Sequence, residues 1–314
     1  MLKTLVVYSG KYGTTEEVAK TISLITGPAR YCSVENFKEE YRDFEFVVLG
    51  APVYKEKLDK PLIEFVNENC EWLKQKSVAA FCTCLDTDGG LRELNNLSRE
   101  FQVDFLTLKA LGGRLILEDL DSNDQVSIEE FLELVKLPHE DMDFYNTEEV
   151  IKFSMKLKGM KEELLEKLEH KKLVSTVDEF ISSHNTCTLA TCHAGIVRST
   201  PIEYSFLENH IYLLSEGGEK FSNLLLNNNV SVSIYDSFNG MNSLAGMQIT
   251  GKASILNETS DEYEKIIKHK GLNMEALNKL PVLLNLIRID INKIEFLYSK
   301  FKEMDADPKQ ILNY

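Results

Sequence analysis

Residues 4–22 read TLVVYSGKYGTTEEVAKTI, an apolar run that breaks into small and hydroxyl residues and then continues with a helical pattern. After the break, Val18, Ile22 and Ile25 recur at helical spacing and mark one apolar face. A helix N-terminus offers unpaired backbone N–H groups and a partial positive charge, so such a break is typical of an anion site. The stretch therefore predicts a strand, a phosphate-binding loop and a helix, in that order.

The loop has the residue types that hold a mononucleotide phosphate through hydroxyl groups and backbone amides. Neither the P-loop pattern G-x-x-x-x-G-K-[ST] nor the dinucleotide pattern G-x-G-x-x-G occurs in it. The ammonium of Lys11 could add a charge-assisted hydrogen bond of roughly 1.5–3 kcal/mol. The alternative is a turn that Thr14 or Thr15 caps and that binds no ligand. The predicted phosphate contacts are Ser9, Lys11, Tyr12, Gly13, Thr14 and Thr15.

The pattern that begins here continues through the first half of the chain. Short apolar runs alternate with amphipathic segments, the runs at 44–52, 77–85 and 104–113 and the segments at 60–73 and 90–101. Such alternation is typical of a parallel sheet covered on both faces. Ligands of these sheets lie beyond the carboxyl ends of the strands, so we expect the loops that follow the strands to converge. Residues 1–158 are predicted to form a doubly wound α/β domain.

Two further loops carry groups suited to a planar heterocycle. Tyr54 follows the second apolar run. An exposed aromatic ring there can stack on a flat ligand, a contact worth about 0.5–1.5 kcal/mol beyond area burial. The third loop, TCLDTDGG at 83–90, combines polar side chains with paired glycines that let the backbone approach a ring edge. The predicted ring contacts are Pro52, Val53, Tyr54, Thr83 and Cys84.

The character of the sequence changes near residue 159. Residues 159–172 are highly charged and helix-prone with a narrow apolar stripe, and are predicted to be a helical linker. A short helix at 174–184 then precedes a series of short strand candidates separated by turn residues. Antiparallel strands of this kind are typical of a small barrel. A second, strand-rich domain is therefore predicted over residues 173–314.

Composition limits the classes of function. A chain of 314 residues with 43% hydrophobic content is long enough to bury two cores. The formal net charge of -15 argues against a nucleic-acid surface, which requires clustered lysine and arginine. No apolar run is long enough to span a bilayer and no signal-peptide pattern is present, so a cytoplasmic protein without a membrane span is expected.

Cysteine and histidine spacing does not indicate a metal site. The six cysteines form no C-x-x-C pair, so reduced and mostly buried thiols are expected instead of a zinc site or a disulfide framework. His184, His193 and His210 are scattered along the chain, and surface or turn roles are expected for them. No side chain stands out as a general acid or base, so no catalytic residue is predicted.

The first half resembles a known family. The segments YSGKYGTTEEVA, GAPVYKEKLDKPL and GRLILEDL, followed by DFYNTEEVIKF, are similar to flavodoxin-like domains related to menaquinone-dependent protoporphyrinogen oxidase, over residues 1 to about 157. The resemblance implies that the first loop binds the phosphate of FMN and that the second and third loops bracket its isoalloxazine ring. Lys11 and Tyr12 stand where simple flavodoxins have hydroxyl residues, a departure that favours the oxidase-like branch.

The second half resembles the pyridoxamine 5'-phosphate oxidase-like split barrels, from about residue 173 to about residue 300. An ordered series of features carries the resemblance: R-S-T-P at 198–201, a strand that ends in a serine, a lysine at a helix start, N-N-N-V at 227–230 and Q-I-T-G-K-A at 248–253. In that family a second base often precedes the lysine, where this chain has Glu219.

The second resemblance implies its own set of FMN contacts. Arg198 and Lys220 would hold the phosphate, because a bidentate guanidinium and a point-charge ammonium suit a phosphate dianion. Ser199, Thr200 and Ser215 would lie nearby, and Gln248 would lie near the flavin ring. Split barrels of this type usually bind FMN across a dimer interface, so a homodimer is implied.

Together the two resemblances imply an α/β domain followed by a β-barrel, with one FMN per domain and two per chain. The expected function is an FMN-dependent oxidoreductase that moves electrons between two flavin sites and an external partner such as NAD(P)H, a quinone or a redox protein. The alternative is a non-catalytic electron carrier or a flavin- or haem-binding redox module. Protoporphyrinogen oxidation lacks support in the second half, and pyridoxine phosphate oxidation lacks a second basic cluster for its substrate.

Overall fold

The computed structural model describes residues 2–135 and 138–314. The chain divides into two compact units, Met1–Leu164 and Leu165–Tyr314. Among these described residues, no helix has both the length and the apolar character needed to cross a bilayer.

The first unit consists of a parallel sheet with helices on both faces. Its strands are β1 (Thr4–Tyr8), β2 (Ala29–Ser33), β3 (Phe46–Tyr54), β4 (Lys57–Leu58), β5 (Ser77–Cys84), β6 (Phe105–Gly112), β7 (Arg114–Leu115) and β8 (Met142–Asp143). Its helices are α1 (Thr14–Ile25), α2 (Lys60–Glu68), α3 (Cys70–Leu73), α4 (Thr87–Phe101), α5 (Ser122–Val135) and α6 (Thr147–Glu163).

The order of strands places a ligand crevice beside β1. The parallel strands follow the order β2-β1-β3-β5-β6, and β4 pairs antiparallel with β3. Because side chains alternate along a strand, Leu5 and Val7 pack into one apolar cluster while Val6 and Tyr8 pack into another. The doubly wound prediction is confirmed. The chain order reverses at β1, and such a switch point is where open α/β sheets bind ligands.

The second unit is built mainly of antiparallel strands. Its strands are β9 (Thr186–His193), β10 (Ile196–Leu207), β11 (His210–Ser215), β12 (Asn229–Tyr235), β13 (Ala245–Leu256), β14 (Asn285–Tyr298) and β15 (Lys309–Asn313). Its helices are α7 (His170–Ser183), α8 (Lys220–Leu224), α9 (Asp261–His269) and α10 (Met274–Leu277).

These strands close into a barrel. The order is β11-β10-β9-β12-β13-β14-β15, and β11 also pairs with β14, so β15 lies outside the closed ring. A register shift occurs in β13 between Thr250 and Gly251, where a Cβ on Gly251 would lie 2.4 Å from the backbone oxygen of Asp290. Only glycine permits so close an approach of the two strands. The antiparallel barrel prediction is confirmed.

The stretch at 159–172 contains the end of one helix and the start of another. Helix α6 buries Leu157 and Lys161, and the Lys161 amine donates to the backbone oxygen of Thr26 at 2.5 Å. The backbone of residues 164–169 is not helical, and α7 begins at His170. The division between the compact units falls at Leu164 and Leu165. The domain boundaries 1–158, 159–172 and 173–314 remain a proposal.

Candidate functional site

A cavity of ≈ 1560 Å³ lies at the carboxyl ends of β1, β3 and β5 in the first unit. Ligand cavities commonly enclose about 300–1,000 Å³, so this one is large. It brings together the three loops that the sequence predicted to converge. Predicted residues in its lining are Tyr12, Gly13, Thr14 and Thr15 from the first loop, Pro52, Val53 and Tyr54 from the second, and Thr83 and Cys84 from the third.

The backbone of the first loop has the form of an anion cradle. Gly10 and Gly13 have φ values of +143° and +85°, conformations that glycine adopts readily. Gly13 is the N-cap of α1 and supplies no side chain to cap the helix. The first N–H groups of α1 are therefore directed toward the loop, where an anion would be stabilised.

Ser9 adds an unsatisfied polar atom beside this loop. The residue is buried, and within the described residues its hydroxyl oxygen makes no well-formed hydrogen bond. Burial raises the pKa of the nearby Asp59 carboxyl, and the Ser9 hydroxyl acts against that rise. A buried hydroxyl without a firm partner is costly unless a ligand or water satisfies it. Ser9 therefore fits a role as a contact to a bound anion.

Thr15 and Thr83 join the first loop to the third. Their hydroxyl oxygens lie 2.8 Å apart, and both side chains are buried. A Cβ on Gly10 would lie 3.2 Å from the Thr15 hydroxyl oxygen, so the loop packs tightly over this pair. Because the pair joins the first turn of α1 to the end of β5, it fixes the position of the loop relative to β5. Thr14, the first residue of α1, is half-buried at the cavity wall.

Lys11 and Tyr12 are held by residues at the start of α5. The Lys11 amine contacts the carboxylate of Asp121 and lies 2.9 Å from that of Asp124. The Tyr12 hydroxyl donates to the same Asp124 carboxylate. Lys11 is the main cause of a lowered pKa at Asp121, and Tyr12 is the main cause of a lowered pKa at Asp124. The Lys11 ammonium is thus already engaged by two carboxylates.

Tyr54 forms an aromatic wall together with Tyr12. The two rings meet edge to face, with centroids 6.2 Å apart and an interplanar angle of 81°. The Tyr54 hydroxyl accepts a hydrogen bond of 3.4 Å from the Lys11 backbone N–H. Burial raises the pKa of Tyr54 to about 12, so its hydroxyl stays protonated at neutral pH. The second loop is therefore tied to the first at the point where a planar ring would lie.

The remainder of the cavity is lined by side chains that the loop motifs did not reveal. Helix α4 contributes Arg92, Asn95, Asn96 and Arg99, and α5 contributes Ile128 and Phe131. The α4 residues recur at three- and four-residue spacing, the periodicity of one helix face. That spacing was a detectable signal in the sequence, although it gave no indication of which ligand the face contacts. The cavity thus has a polar, partly basic side and an apolar side.

In the second unit, three predicted residues lie around one short segment. The Lys220 amine is buried and donates to the Gly217 backbone oxygen at 2.5 Å, and the Ser215 hydroxyl donates to the same oxygen at 3.2 Å. The Arg198 guanidinium is exposed and pairs with the Glu219 carboxylate at 2.9 Å. The structure therefore brings Ser215, Lys220 and Arg198 to the segment at 215–220. Arg198 has an acidic partner there.

The other predicted barrel residues are divided between two faces of the sheet. Thr200 pairs with the buried Leu189, so Thr200 faces inward. Ser199 and Gln248 belong to rows of paired residues that face outward, and both are exposed. The same outer surface carries the small polar residues Thr188, Ser231 and Ser233. Such a shallow polar surface can accept a flat ligand.

Two of the scattered histidines have structural partners. The Nε2 atom of His184 lies 2.9 Å from an Asp236 carboxylate oxygen, and that of His210 lies 3.2 Å from an Asp290 carboxylate oxygen. Within residues 2–135 and 138–314, no group of three or more histidine, cysteine, aspartate or glutamate side chains is arranged to hold a metal ion.

The first unit is a doubly wound sheet with a glycine-containing loop at its switch point, and the second unit is a closed antiparallel barrel. Residues 5–140 match the flavodoxin domain family, and residues 173–298 match the pyridoxamine 5'-phosphate oxidase family. The chain therefore carries a flavodoxin-like domain and a pyridoxamine 5'-phosphate oxidase-like domain. Both families are flavin-linked, which indicates a redox protein.

Three solved structures are similar to part of the chain, each with at most 20% sequence identity. An FAD-binding protein from Mesorhizobium loti is 19% identical, with a TM-score of 0.33 over 42% of this chain and 93% of that chain. ChuZ from Campylobacter jejuni is 20% identical, with a TM-score of 0.35 over 50% and 68%. The haem storage protein HutZ from Vibrio cholerae is 19% identical, with a TM-score of 0.33 over 38% and 89%. No curated protein is significantly similar to this chain in sequence.

Proposed function

We propose that the chain is an FMN-dependent oxidoreductase that binds a substrate beside a flavin in the cavity of the first unit. The main observation in support of this proposal is the volume of that cavity. Its volume of ≈ 1560 Å³ exceeds the roughly 300–1,000 Å³ of common ligand sites, so a cofactor leaves room for a second molecule. An electron carrier that only docks a protein partner does not need this space.

The flavodoxin-like unit is proposed to hold one FMN. The phosphate contacts that we propose are the Ser9 hydroxyl, the backbone of Gly13 and the first turn of α1 at Thr14 and Thr15. The ring contacts that we propose are Pro52, Val53, Tyr54, Thr83 and Cys84. Lys11 and Tyr12 are assigned the different task of fixing this loop to α5, since Asp121 and Asp124 already engage them. Bound FMN would supply the electron or hydride chemistry.

The barrel is proposed to hold a second FMN at the segment 215–220. The buried Lys220 ammonium and the Ser215 hydroxyl lie together there, and Arg198 reaches the same segment. A phosphate dianion would compete with Glu219 for the Arg198 guanidinium, because the Arg198–Glu219 ion pair is exposed and such pairs contribute little. Ser199, Thr200 and Gln248 are proposed as the remaining contacts. The expected content is two FMN per chain.

The exposed apolar residues of the barrel support a homodimer. Ile196, Val197, Leu225 and Leu226 are between 63% and 74% exposed. We propose that they form one apolar patch, since Asn223 of α8 donates to the backbone oxygen of Ile196 and so holds this helix beside the start of β10. Contiguous apolar side chains at a surface commonly mark a protein interface. We therefore propose that two copies of this chain associate through the barrel.

The external redox partner is proposed to be a small molecule or a protein, such as NAD(P)H, a quinone or a redox protein, in the cytoplasm. The described cysteines are all free thiols, which suits a reducing compartment. Electron exchange between the two flavin sites is part of this proposal.

A turnover assay separates this enzyme from a non-catalytic carrier or a flavin- or haem-binding module. The FMN-loaded protein is mixed anaerobically with NADH or NADPH and an excess of an artificial acceptor. The proposal predicts sustained oxidation of one nicotinamide that saturates with its concentration and that falls at least tenfold in Tyr54→Ala. Reduction that stops after one equivalent per flavin, with every donor tried, would indicate a carrier.

A further inference from the structure

One face of helix α4 forms a wall of the cavity in the first unit. The face begins at Gly90, where an added Cβ would lie 2.6 Å from the sulfur of Cys84, a proposed ring contact. It ends at Arg99, the last residue of α4 in the cavity lining. Nine residues of an α-helix rise about 14 Å. The cavity therefore continues along α4 well beyond the end at which a flavin ring would lie.

The side chains on this face suit an anionic molecule better than an apolar one. Two asparagines and two arginines of α4 line the cavity, and the arginines are Arg92 and Arg99. The acid on the same face, Glu93, already has partners. The Lys57 amine lies 3.3 Å from its carboxylate, and the Asn96 side-chain amide donates to that carboxylate at 3.0 Å. The charge along this face is therefore set mainly by the two arginines.

Both guanidinium groups can receive an anion. That of Arg92 lies 3.7 Å from an Asp86 carboxylate oxygen, but both side chains are largely exposed and such pairs contribute little. Within residues 2–135 and 138–314, no carboxylate lies within ion-pair distance of the Arg99 guanidinium. The two arginines are seven residues apart, which is about two turns or 10.5 Å along the helix axis. Two anionic groups of one elongated molecule can therefore bind along α4.

Most other acids of the cavity lining are ion-paired or belong to another element. Glu17 and Asp124 each form an ion pair with a base. Asp119 and Glu140 belong to the segment around α5 and not to α4. An anion bound along α4 would thus meet the arginines before it meets these carboxylates.

We propose that the second molecule in this cavity is NADPH, with its pyrophosphate near Arg92 and its 2'-phosphate at Arg99. This assignment rests on the proposed flavin-dependent function and selects one of the redox partners considered there. A guanidinium suits phosphate because its N–H groups bind two phosphate oxygens at once, and arginine accommodates the 2'-phosphate in dinucleotide-binding folds. A quinone with an apolar tail fits less well. Its tail would cover the two guanidinium groups without giving them hydrogen-bond partners, which costs free energy.

Binding of oxidised dinucleotides to the FMN-loaded, full-length protein tests this assignment. NADP+ and NAD+, which differ only in the 2'-phosphate, are titrated by isothermal calorimetry. The wild type is expected to bind NADP+ at least tenfold more tightly than NAD+. Arg99→Leu is expected to remove this difference by weakening the binding of NADP+ alone, whereas Arg92→Leu is expected to weaken the binding of both. Arg30→Leu changes an exposed arginine outside this cavity and should alter neither affinity.

Equal affinities of the wild type for NADP+ and NAD+, or an equal loss of both in Arg99→Leu, would overturn the assignment. So would a protein that retains FMN and binds neither dinucleotide. The FMN content of each variant, measured in the same samples, shows that the variant is folded. Because binding requires no turnover, the two proposals can fail separately. A protein that turns over with another donor and does not bind NADP+ keeps the proposed function and contradicts the assignment, whereas Arg99-dependent binding of NADP+ without sustained turnover does the reverse.

Discussion

Single residues decide how the first loop is held. Residue types alone predicted a phosphate-binding loop, and in the structure Gly10 and Gly13 of this loop have positive φ values. The partners of Lys11 could not be foreseen, because Asp121 and Asp124 lie more than 100 residues further along the chain and only the tertiary fold brings them near. An isolated lysine beside a glycine-rich loop is consistent with a phosphate contact or with an ion pair.

The hydrogen bond between Thr15 and Thr83 gives a prediction at this scale. Thr15→Val keeps the shape of the side chain but leaves the buried Thr83 hydroxyl without its partner. The free energy of unfolding is expected to fall by about 1–3 kcal/mol. Urea unfolding followed by the fluorescence of Trp72, the one tryptophan of the chain, reports on this unit. Thr21→Val on the same helix is the control, with an expected change within about 0.5 kcal/mol. Equal changes in the two variants would contradict a structural role for the Thr15–Thr83 pair.

At the scale of elements, helix α5 is attached to the first loop through ionic contacts. Lys11 holds the pKa of Asp121 below its ordinary value, so this contact stabilises the folded state above about pH 4 and is lost as the pH falls through the lowered pKa. The pKa of Asp124 is also lowered, with Tyr12 as the larger cause and Lys11 as the smaller one. Attachment of α5 is therefore expected to persist at neutral pH and to weaken in acid.

Titration of the aspartate carboxyl groups, followed by NMR, can separate the effect of Lys11 on these pKa values from the effect of Tyr12. Lys11→Met is expected to raise the pKa of Asp121, which keeps the part of its lowering that comes from the backbone N–H groups of Asn123 and Asp124. The Asp124 pKa is expected to keep part of its lowering through Tyr12. Tyr12→Phe is expected to raise the pKa of Asp124 more than that of Asp121. Lys20→Met, an exposed change on α1, serves as the control and should move neither pKa. Unchanged carboxyl titrations in Lys11→Met would show that the ion pairs do not form in solution.

Helix α1 has a strong hydrophobic periodicity and was predictable from the sequence, whereas strands β14 and β2 were not predicted. Helix α1 begins at Thr14 and ends at Ile25, as its periodicity predicted. Strand β14 was not singled out, although Ile287, Ile289 and Ile291 alternate along it and are all buried. Its alternation was a readable signal. Strand β2 carries polar residues at the edge of the sheet, so sequence pattern gives little indication of it.

At the scale of the whole molecule, the barrel patch gives a prediction about assembly. Val197→Glu and Leu225→Glu place charges on the exposed apolar patch and are expected to reduce a dimer to a monomer. Light scattering coupled to size exclusion should change from twice the chain mass of 35.8 kDa to that mass. Leu24→Glu is the matched control, because Leu24 and Leu225 are each 74% exposed. A wild type that is monomeric at micromolar concentration would contradict the proposed interface.

The central claim is that each of the two units binds one FMN, and the flavin content of the protein tests it most directly. The wild type, Thr14→Val with Tyr54→Ala, and Arg198→Ala with Lys220→Ala are each saturated with FMN, freed of excess and denatured, and the released flavin is identified and counted by chromatography. The account predicts close to two FMN per chain in the wild type and close to one in each double variant. A wild type that retains a single FMN, unaffected by either pair of substitutions, would contradict it.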